Sequence, residues 1–241
     1  MKIRSVIGGC GALALLFTSA VTPAVAGGNG RAQVYPSHAR PYGASIATWG
    51  ERASQWVYGT PYDRSPLFDD TGANCGVNQR GPVWFVARIA GPPVFEGTRR
   101  CTIPRQKAIL LYIGAVVSTY PCAADPTFRP APGQRLYDFL AADADAAMDT
   151  VDHLSVTIDG RPVPRVLEDH RHVSRNLFRI KGHLSMQTAF DPCITGHRQP
   201  AVMDGFFLML KPLPRGVHTV RVHGTNTIGH IKTFNYHLTI V

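Results

Sequence analysis

Residues 234–241, Phe-Asn-Tyr-His-Leu-Thr-Ile-Val, decide the fold class, because apolar and polar side chains alternate strictly along them. An extended chain points successive side chains to opposite faces, so this alternation gives one apolar and one polar face. The inward positions are Phe234, Tyr236, Leu238 and Ile240, and the outward positions are Asn235, His237 and Thr239. The segment is therefore predicted to be a half-buried β-strand.

The same signal recurs upstream between turn residues. Residues 153–158 alternate and end in Asp159-Gly160, a dipeptide typical of hairpin turns. Further strands are expected over 82–89, 98–103, 107–117, 206–210 and 217–222. Several short strands at this spacing predict a mainly β protein, an antiparallel β-sandwich that is jelly-roll-like or immunoglobulin-like.

Two segments have the period of a helix instead. Apolar residues recur at three- and four-residue spacing over 44–58, after Ser45 as a capping residue, and again over 134–149. Both helices are expected to pack on the sandwich. The aspartates of the second helix are interpreted as a solvated face rather than a cation site.

The amino terminus has the parts of an export signal. Lys2 and Arg4 precede an apolar run, and Ala24-Val25-Ala26 fits a cleavage site, so residues 1–26 are predicted to be a signal peptide. The run is too short for a membrane-spanning helix. We therefore expect a secreted or periplasmic protein with no transmembrane segment, an extended lead-in over 27–42, and a single sandwich domain over 43–241.

Cleavage after Ala26 leaves four cysteines, and an oxidising compartment favours their pairing. They are Cys75, Cys101, Cys122 and Cys193. No two are spaced as Cys-x-x-Cys, which excludes a redox motif or zinc knuckle of that kind. Of the three possible pairings we favour Cys75–Cys101 with Cys122–Cys193, because the first pair brackets an expected hairpin.

The net charge is positive and is compatible with an anionic partner. The full chain carries 25 basic and 16 acidic residues, a net +9, and removal of Lys2 and Arg4 leaves 23 − 16 = +7. A basic exported protein can be attracted to anionic polysaccharide or another acidic polymer, although many exported proteins are basic without a polyanionic ligand. Only Arg99-Arg100 and the stretch from Arg161 to Arg179 are dense in basic residues, and no basic–aromatic module is present, so nucleic acid is not expected as a partner. No cofactor motif is present, and none is expected.

Two groups of residues are predicted to bind a ligand. Asp69, Asp70 and Asn74 crowd onto a loop held next to Cys75, where binding groups concentrate. Their alternative role is an Asx-turn, in which the side chains bind nearby amides and Gly72 supplies a positive φ. Trp49 and Trp56 lie on one helix face and form either a sugar-stacking platform or core anchors.

His170 and His172 are the candidate metal ligands. If they lie on a strand, residues i and i+2 share a face and both imidazoles reach one ion. A third ligand would have to come from elsewhere, and the candidates are Asp169, His153 and His183. With ten histidines in the chain, histidine pairs also arise by chance. No Gly-x-Ser-x-Gly nucleophile motif occurs, which disfavours a common esterase.

Three stretches carry a resemblance to a group of exported bacterial proteins of uncharacterised function. They are Trp49 to Trp56 with the following Asp-Thr-Gly-Ala-Asn-Cys over 70–75, Gly-Pro-Val-Trp-Phe over 81–85, and the segment 204–219 from Asp-Gly-Phe-Phe to Gly-Val-His-Thr. The resemblance implies a bacterial origin and one unit over about 43–241. Gln106 departs from the glycine expected there. No catalytic residue is implied.

These observations favour a non-enzymatic binding module whose ligand is a glycan or other polymer. The alternative is a secreted hydrolase, metal-assisted through His170 and His172. The sequence leaves open the ligand, the oligomeric state, and whether the protein stays in the periplasm.

Overall fold

The computed structural model describes residues 32–241 and shows two packed β-sheets with helices, as the sequence predicts. The predicted signal peptide and the first residues of the lead-in lie outside the described residues. The strands are β1 Val83–Ala87, β2 Val94–Ile103, β3 Ala108–Thr119, β4 Val151–Ile158, β5 Arg161–Val163, β6 Arg171–Val173, β7 Phe178–Lys181, β8 Arg198–Leu210, β9 Gly216–Asn226 and β10 Ile231–Ile240. The helices are α1 Ile46–Gly59, α2 Leu136–Met148, α3 Val166–Asp169 and α4 Ser185–Ala189.

The strands form two sheets of five. Sheet A has the order β1-β3-β8-β6, with β7 also paired to β8, and sheet B has the order β2-β10-β9-β4-β5. Most neighbours are antiparallel, but β1 pairs with β3 and β2 with β10 in parallel. The prediction of a mainly antiparallel sandwich is therefore confirmed, with one parallel pair added in each sheet.

The two sheets bury their side chains differently. The inward side chains of sheet B, such as Phe234 and Leu238, pack against one face of sheet A. The opposite face of sheet A is covered by α1, where Trp49 and Val57 meet Phe207 of β8. Strands β3 and β8 are thus buried on both faces, which explains their continuous apolar runs, whereas β10 alternates because its outer face is solvated.

Both predicted helices are present. Ser45 caps α1, since its Oγ accepts a hydrogen bond from the Thr48 amide at 3.1 Å. Helix α2 buries Leu140, Ala144 and Met148 against sheet A. Within residues 32–241 no helix is long and apolar enough to cross a membrane.

Strand β8 begins eight residues before the predicted run at Phe206. This extension of the strand was not predicted from the sequence, because Asp204 and Gly205 are poor strand formers. Asp204 is fully buried and paired with Arg171. A side chain at position 205 would strike Ala115 on the neighbouring strand, so only glycine fits there. Two unfavourable residues therefore sit in a central strand for reasons that arise only in the folded protein.

The favoured disulfide pairing is confirmed, although the reason given for its first bridge is wrong. Cys75 is joined to Cys101 and Cys122 to Cys193. The segment between Cys75 and Cys101 contains β1 and β2, which belong to different sheets and form no hairpin. The first bridge instead ties the loop before sheet A to a strand of sheet B. Two disulfides are typical of proteins from oxidising compartments.

Residues 32–36 of the lead-in are extended, and Val34 bridges to Leu210 of sheet A. The chain then turns at 37–38 and forms a 3-10 helix over Pro41–Gly43, so it is not extended up to residue 42 as predicted. The amide of Tyr35 donates to Met209 O at 2.7 Å, and the amide of Lys211 donates to Gln33 O at 2.8 Å. The lead-in therefore runs beside the end of β8. This position makes it one wall of the cavities described below.

Candidate functional site

In the predicted binding loop over 69–74, the side chains of Asp69 and Thr71 make their hydrogen bonds within the loop. The Asp69 carboxylate accepts four hydrogen bonds, from the amides of Thr71, Gly72 and Asn74 and from the Thr71 hydroxyl, at 2.7–3.0 Å. Burial raises the pKa of the Asp69 carboxyl, but the hydrogen bonds from Thr71, Asn74 and Gly72 together lower it below its ordinary value. Asp69 thus has the role of the Asx-turn alternative.

The loop also covers the edge of β2. The Arg100 amide donates to Thr71 O at 3.0 Å, and Gly72 lies against the Arg100 carbonyl with φ of 103°. A side chain at position 72 would collide with that backbone, so glycine is required. The neighbouring Cys75–Cys101 bridge fixes the same contact. Asp70 projects outward and is exposed, while Asn74 is half-buried.

A buried arginine, Arg99, connects the 69–74 loop to strands β1 and β2. Arg99 is 1% exposed, and its guanidinium donates to Ala87 O at 2.7 Å, to Pro66 O at 2.5 Å and to Asp69 O at 2.8 Å. Burial lowers its pKa from the ordinary arginine value. Backbone carbonyls, rather than a carboxylate, hold this charge. The loop, β1 and β2 are therefore joined by one side chain.

Trp49 and Trp56 are core anchors. Their side chains are buried, and their indole N–H groups donate to Pro41 O at 2.9 Å and to Val77 O at 2.7 Å. Both rings pack near Phe85 of β1. Neither ring presents an open face, so a stacking platform formed by these two tryptophans does not fit the structure.

His170 and His172 do not share a strand face as expected. His170 precedes β6, with φ of −117° and ψ of 19°, and the two ring centroids are 6.3 Å apart. Within residues 32–241, no group of three or more His, Cys, Asp or Glu is placed to hold a metal ion. The structure therefore offers no third ligand for the predicted metal pair.

The two histidines instead line different cavities. His170 faces a cavity of about 890 Å³ between the lead-in and the β4–β5 hairpin. His172 faces a second cavity of about 330 Å³ near the start of α1. Burial lowers the pKa of both imidazoles, that of His172 to about 4 with a contribution from His170. Both side chains are thus neutral at pH 7.

The cavities adjoin and form one depression. The large cavity shares Ser37 and His38 with the second, and the second shares Arg40 and Arg175 with a third of about 200 Å³. We call this depression the lead-in groove. It is lined by residues 32–38, 40, 45–48, 51, 158–159, 161–164, 169–173 and 175–178.

Two of the three acidic side chains that line the lead-in groove have partners. The Asp159 carboxylate is hydrogen-bonded to His218 Nδ1 at 2.8 Å and accepts from the Thr219 amide at 2.8 Å. Asp169 is paired with Arg165 at 3.1 Å. The third is Glu51 in the smallest cavity, where burial raises the pKa of the carboxyl and Ser174 and Arg52 partly oppose that rise.

Three arginines of the lead-in groove have no carboxylate partner among the described residues. Among the described residues, no carboxylate lies within ion-pair distance of Arg40, Arg161 or Arg175, all of which are exposed. Arg171 is the exception, since it binds Asp145, Asp149 and Asp204 at 2.6–2.8 Å and ties α2 to β8. The groove therefore presents free positive charge along its length.

As candidate ligands, sequence reasoning named three residues of this groove, which are His170, His172 and Asp169. The others come from the lead-in, the β4–β5 hairpin, the segment after β6 and the start of α1, which only the tertiary fold brings together. The available signal was the dense basic stretch from Arg161 to Arg179. It includes Arg161, Arg171 and Arg175 of the groove.

Comparison with known proteins gives no family assignment. No protein-family model matches the chain, and no curated protein matches it. Among solved structures, the chain is similar to the one described as "Structure of PbICP-C in complex with falcipain-2", with 8% identity, 67% of this chain and 100% of that chain covered, and a TM-score of 0.26. A similarity at that TM-score supports no argument about fold or function.

Proposed function

We propose that the protein is an exported, non-enzymatic binding module that holds an acidic polysaccharide or another anionic polymer in the lead-in groove. The observation that carries this proposal is the difference in pairing within the groove. Asp169 is paired with Arg165, and Asp159 is hydrogen-bonded to His218 and to the Thr219 amide, whereas Arg40, Arg161 and Arg175 have no carboxylate within ion-pair distance among the described residues. A groove with unpaired cations attracts polyanions.

The shape of the groove supports a polymer rather than a small molecule. Three adjoining cavities of about 890, 330 and 200 Å³ extend from the β4–β5 hairpin to the start of α1. A pocket for a single small molecule has about 300–1,000 Å³. Several linked units of a chain fill the combined depression better than one compact ligand. Export rests on the predicted signal peptide and is consistent with the two disulfides.

The test is affinity electrophoresis and calorimetry of the mature chain with polygalacturonate, dextran sulfate and phosphomannan, with neutral dextran as the reference. We expect binding to at least one acidic polymer, weakened by added salt because exposed charges are screened. The variant R161A/R175A should bind about 10-fold or more weakly. The matched control R100A/R129A removes the same charge from exposed arginines outside the groove and should bind normally.

Two results would contradict the proposal. One is equal retention of the protein by dextran and by all three acidic polymers. The other is equal loss of binding in R161A/R175A and R100A/R129A, which would assign the interaction to net charge alone.

A further inference from the structure

The middle cavity of the lead-in groove differs from the other two in its charge. It is lined by His38, Arg40, His172 and Arg175, together with Ser37, and no carboxylate lines it. Arg171 also lines it but is neutralised by three aspartates. Its volume of about 330 Å³ has room for one charged sugar substituent and the ring that carries it.

One of the side chains that line this cavity carries a polar atom without a partner. His172 Nε2 is inaccessible to solvent and makes no hydrogen bond within the described residues. Buried polar atoms in folded proteins are almost always hydrogen-bonded. A turn of the imidazole ring toward the cavity would let an N–H of His172 donate to a bound oxyanion, and the arginines that line the cavity would supply two guanidinium groups to the same ligand.

We propose that this cavity is a subsite for a phosphoryl group of the phosphomonoester type, held by Arg40, Arg175 and His172. The inference rests on the proposed function, because it specifies the charged group of the polymer bound in the groove. Two guanidinium groups match the double negative charge and three free oxygens of a phosphomonoester. A carboxylate has one charge and two oxygens and would leave part of this donor set unpaired.

The experiment uses small matched probes, which are glucose 6-phosphate, glucuronate and glucose. Calorimetry with the mature chain should show glucose 6-phosphate binding about 10-fold or more tightly than glucuronate, and no binding of glucose. The variant R40A/R175A should lose about 10-fold or more of the glucose 6-phosphate affinity. R100A/R129A is again the control and should retain it.

Imidazole NMR signals provide a measurement that does not depend on a variant folding. Glucose 6-phosphate should shift the ring signals of His172 and His38 and leave those of His237, on the outer face of sheet B, unchanged. The variants H172A and H172Q distinguish the role of the hydrogen-bond donor of His172 from that of its imidazole ring. Both variants remove the ring, but only glutamine restores an N–H donor. H172Q should recover part of the affinity that H172A loses.

The outcomes separate this inference from the proposed function. Equal affinity for glucose 6-phosphate and glucuronate, or unshifted His172 signals at saturation, would overturn the phosphoryl assignment even if acidic polymers bind. Tight, Arg40- and Arg175-dependent binding of glucose 6-phosphate without binding of any polymer would support the subsite and overturn the polymer proposal.

Discussion

The 69–74 loop and the lead-in groove both collect polar side chains, but they use them differently. In the loop, the Asp69 carboxylate is occupied by four donors of the loop itself. In the groove, His172 Nε2 is buried without a partner, and Arg175 has no carboxylate within ion-pair distance among the described residues. Satisfied polar groups stabilise a fold, whereas exposed arginines without a carboxylate partner around a cavity are available to a ligand. We therefore interpret the loop as scaffold and the groove as the site.

The largest effect is expected at the base of the loop. Replacing Arg99 by alanine leaves the carbonyls of Pro66, Asp69 and Ala87 without their donor. We expect a loss of about 3–5 kcal/mol in the free energy of unfolding, measured by urea denaturation. The adjacent Arg100 is exposed on the other face of β2, and R100A should change stability by less than about 0.5 kcal/mol. A similar loss of unfolding free energy in R99A and R100A would contradict the interpretation of the loop as scaffold.

A smaller effect is expected at Asp69, and it depends on pH. D69A should lower the free energy of unfolding by about 1–2 kcal/mol at pH 7, because three backbone amides lose their acceptor. The folded-state pKa of Asp69 lies below its ordinary value, so this stabilisation is present above about pH 4 and is lost as the pH falls through the lowered pKa. Wild type and D69A should therefore converge in acid. A constant difference down to pH 2 would contradict the assigned role of the carboxylate.

His172 is expected to make the free energy of unfolding depend on pH in a second, higher pH range. Its folded-state pKa of about 4 lies below the ordinary value of about 6.5, so the unfolded chain binds the proton more readily between these values. The free energy of unfolding should decrease as the pH falls from about 6.5 to 4. H172Q should flatten this part of the profile, whereas H237Q on the sheet B surface serves as the control. His170 contributes in the same direction through its burial.

The fold could be predicted where the spacing of apolar side chains along the sequence reflects which face of a strand or helix is buried. The pattern of apolar residues identified four of the five strands of sheet B, all but the short β5, because one face of that sheet is solvated, and helical spacing identified α1 and α2. Prediction failed where a residue's environment is set by distant partners. Asp204 and Gly205 lie inside β8 because Arg171 and Ala115 approach them, and no local pattern encodes those contacts.

The site was less predictable than the fold for the same reason. The polar loop over 69–74 was conspicuous because its residues are adjacent in sequence, and the same adjacency allows Asp69 to bind the amides of the residues that follow it. The groove combines the lead-in near Arg40 with the segment around Arg175, which are more than a hundred residues apart. The one sequence feature that indicated the groove was the basic stretch from Arg161 to Arg179.

The most direct measurement compares D69A with R161A/R175A in thermal unfolding and in binding to the acidic polymer that the wild-type protein retains. We predict that D69A melts earlier and still binds, while R161A/R175A melts within about 2 °C of wild type and binds about 10-fold or more weakly. The reverse result, with binding lost in D69A at unchanged stability and retained in R161A/R175A, would contradict a ligand site in the lead-in groove and place it in the 69–74 loop.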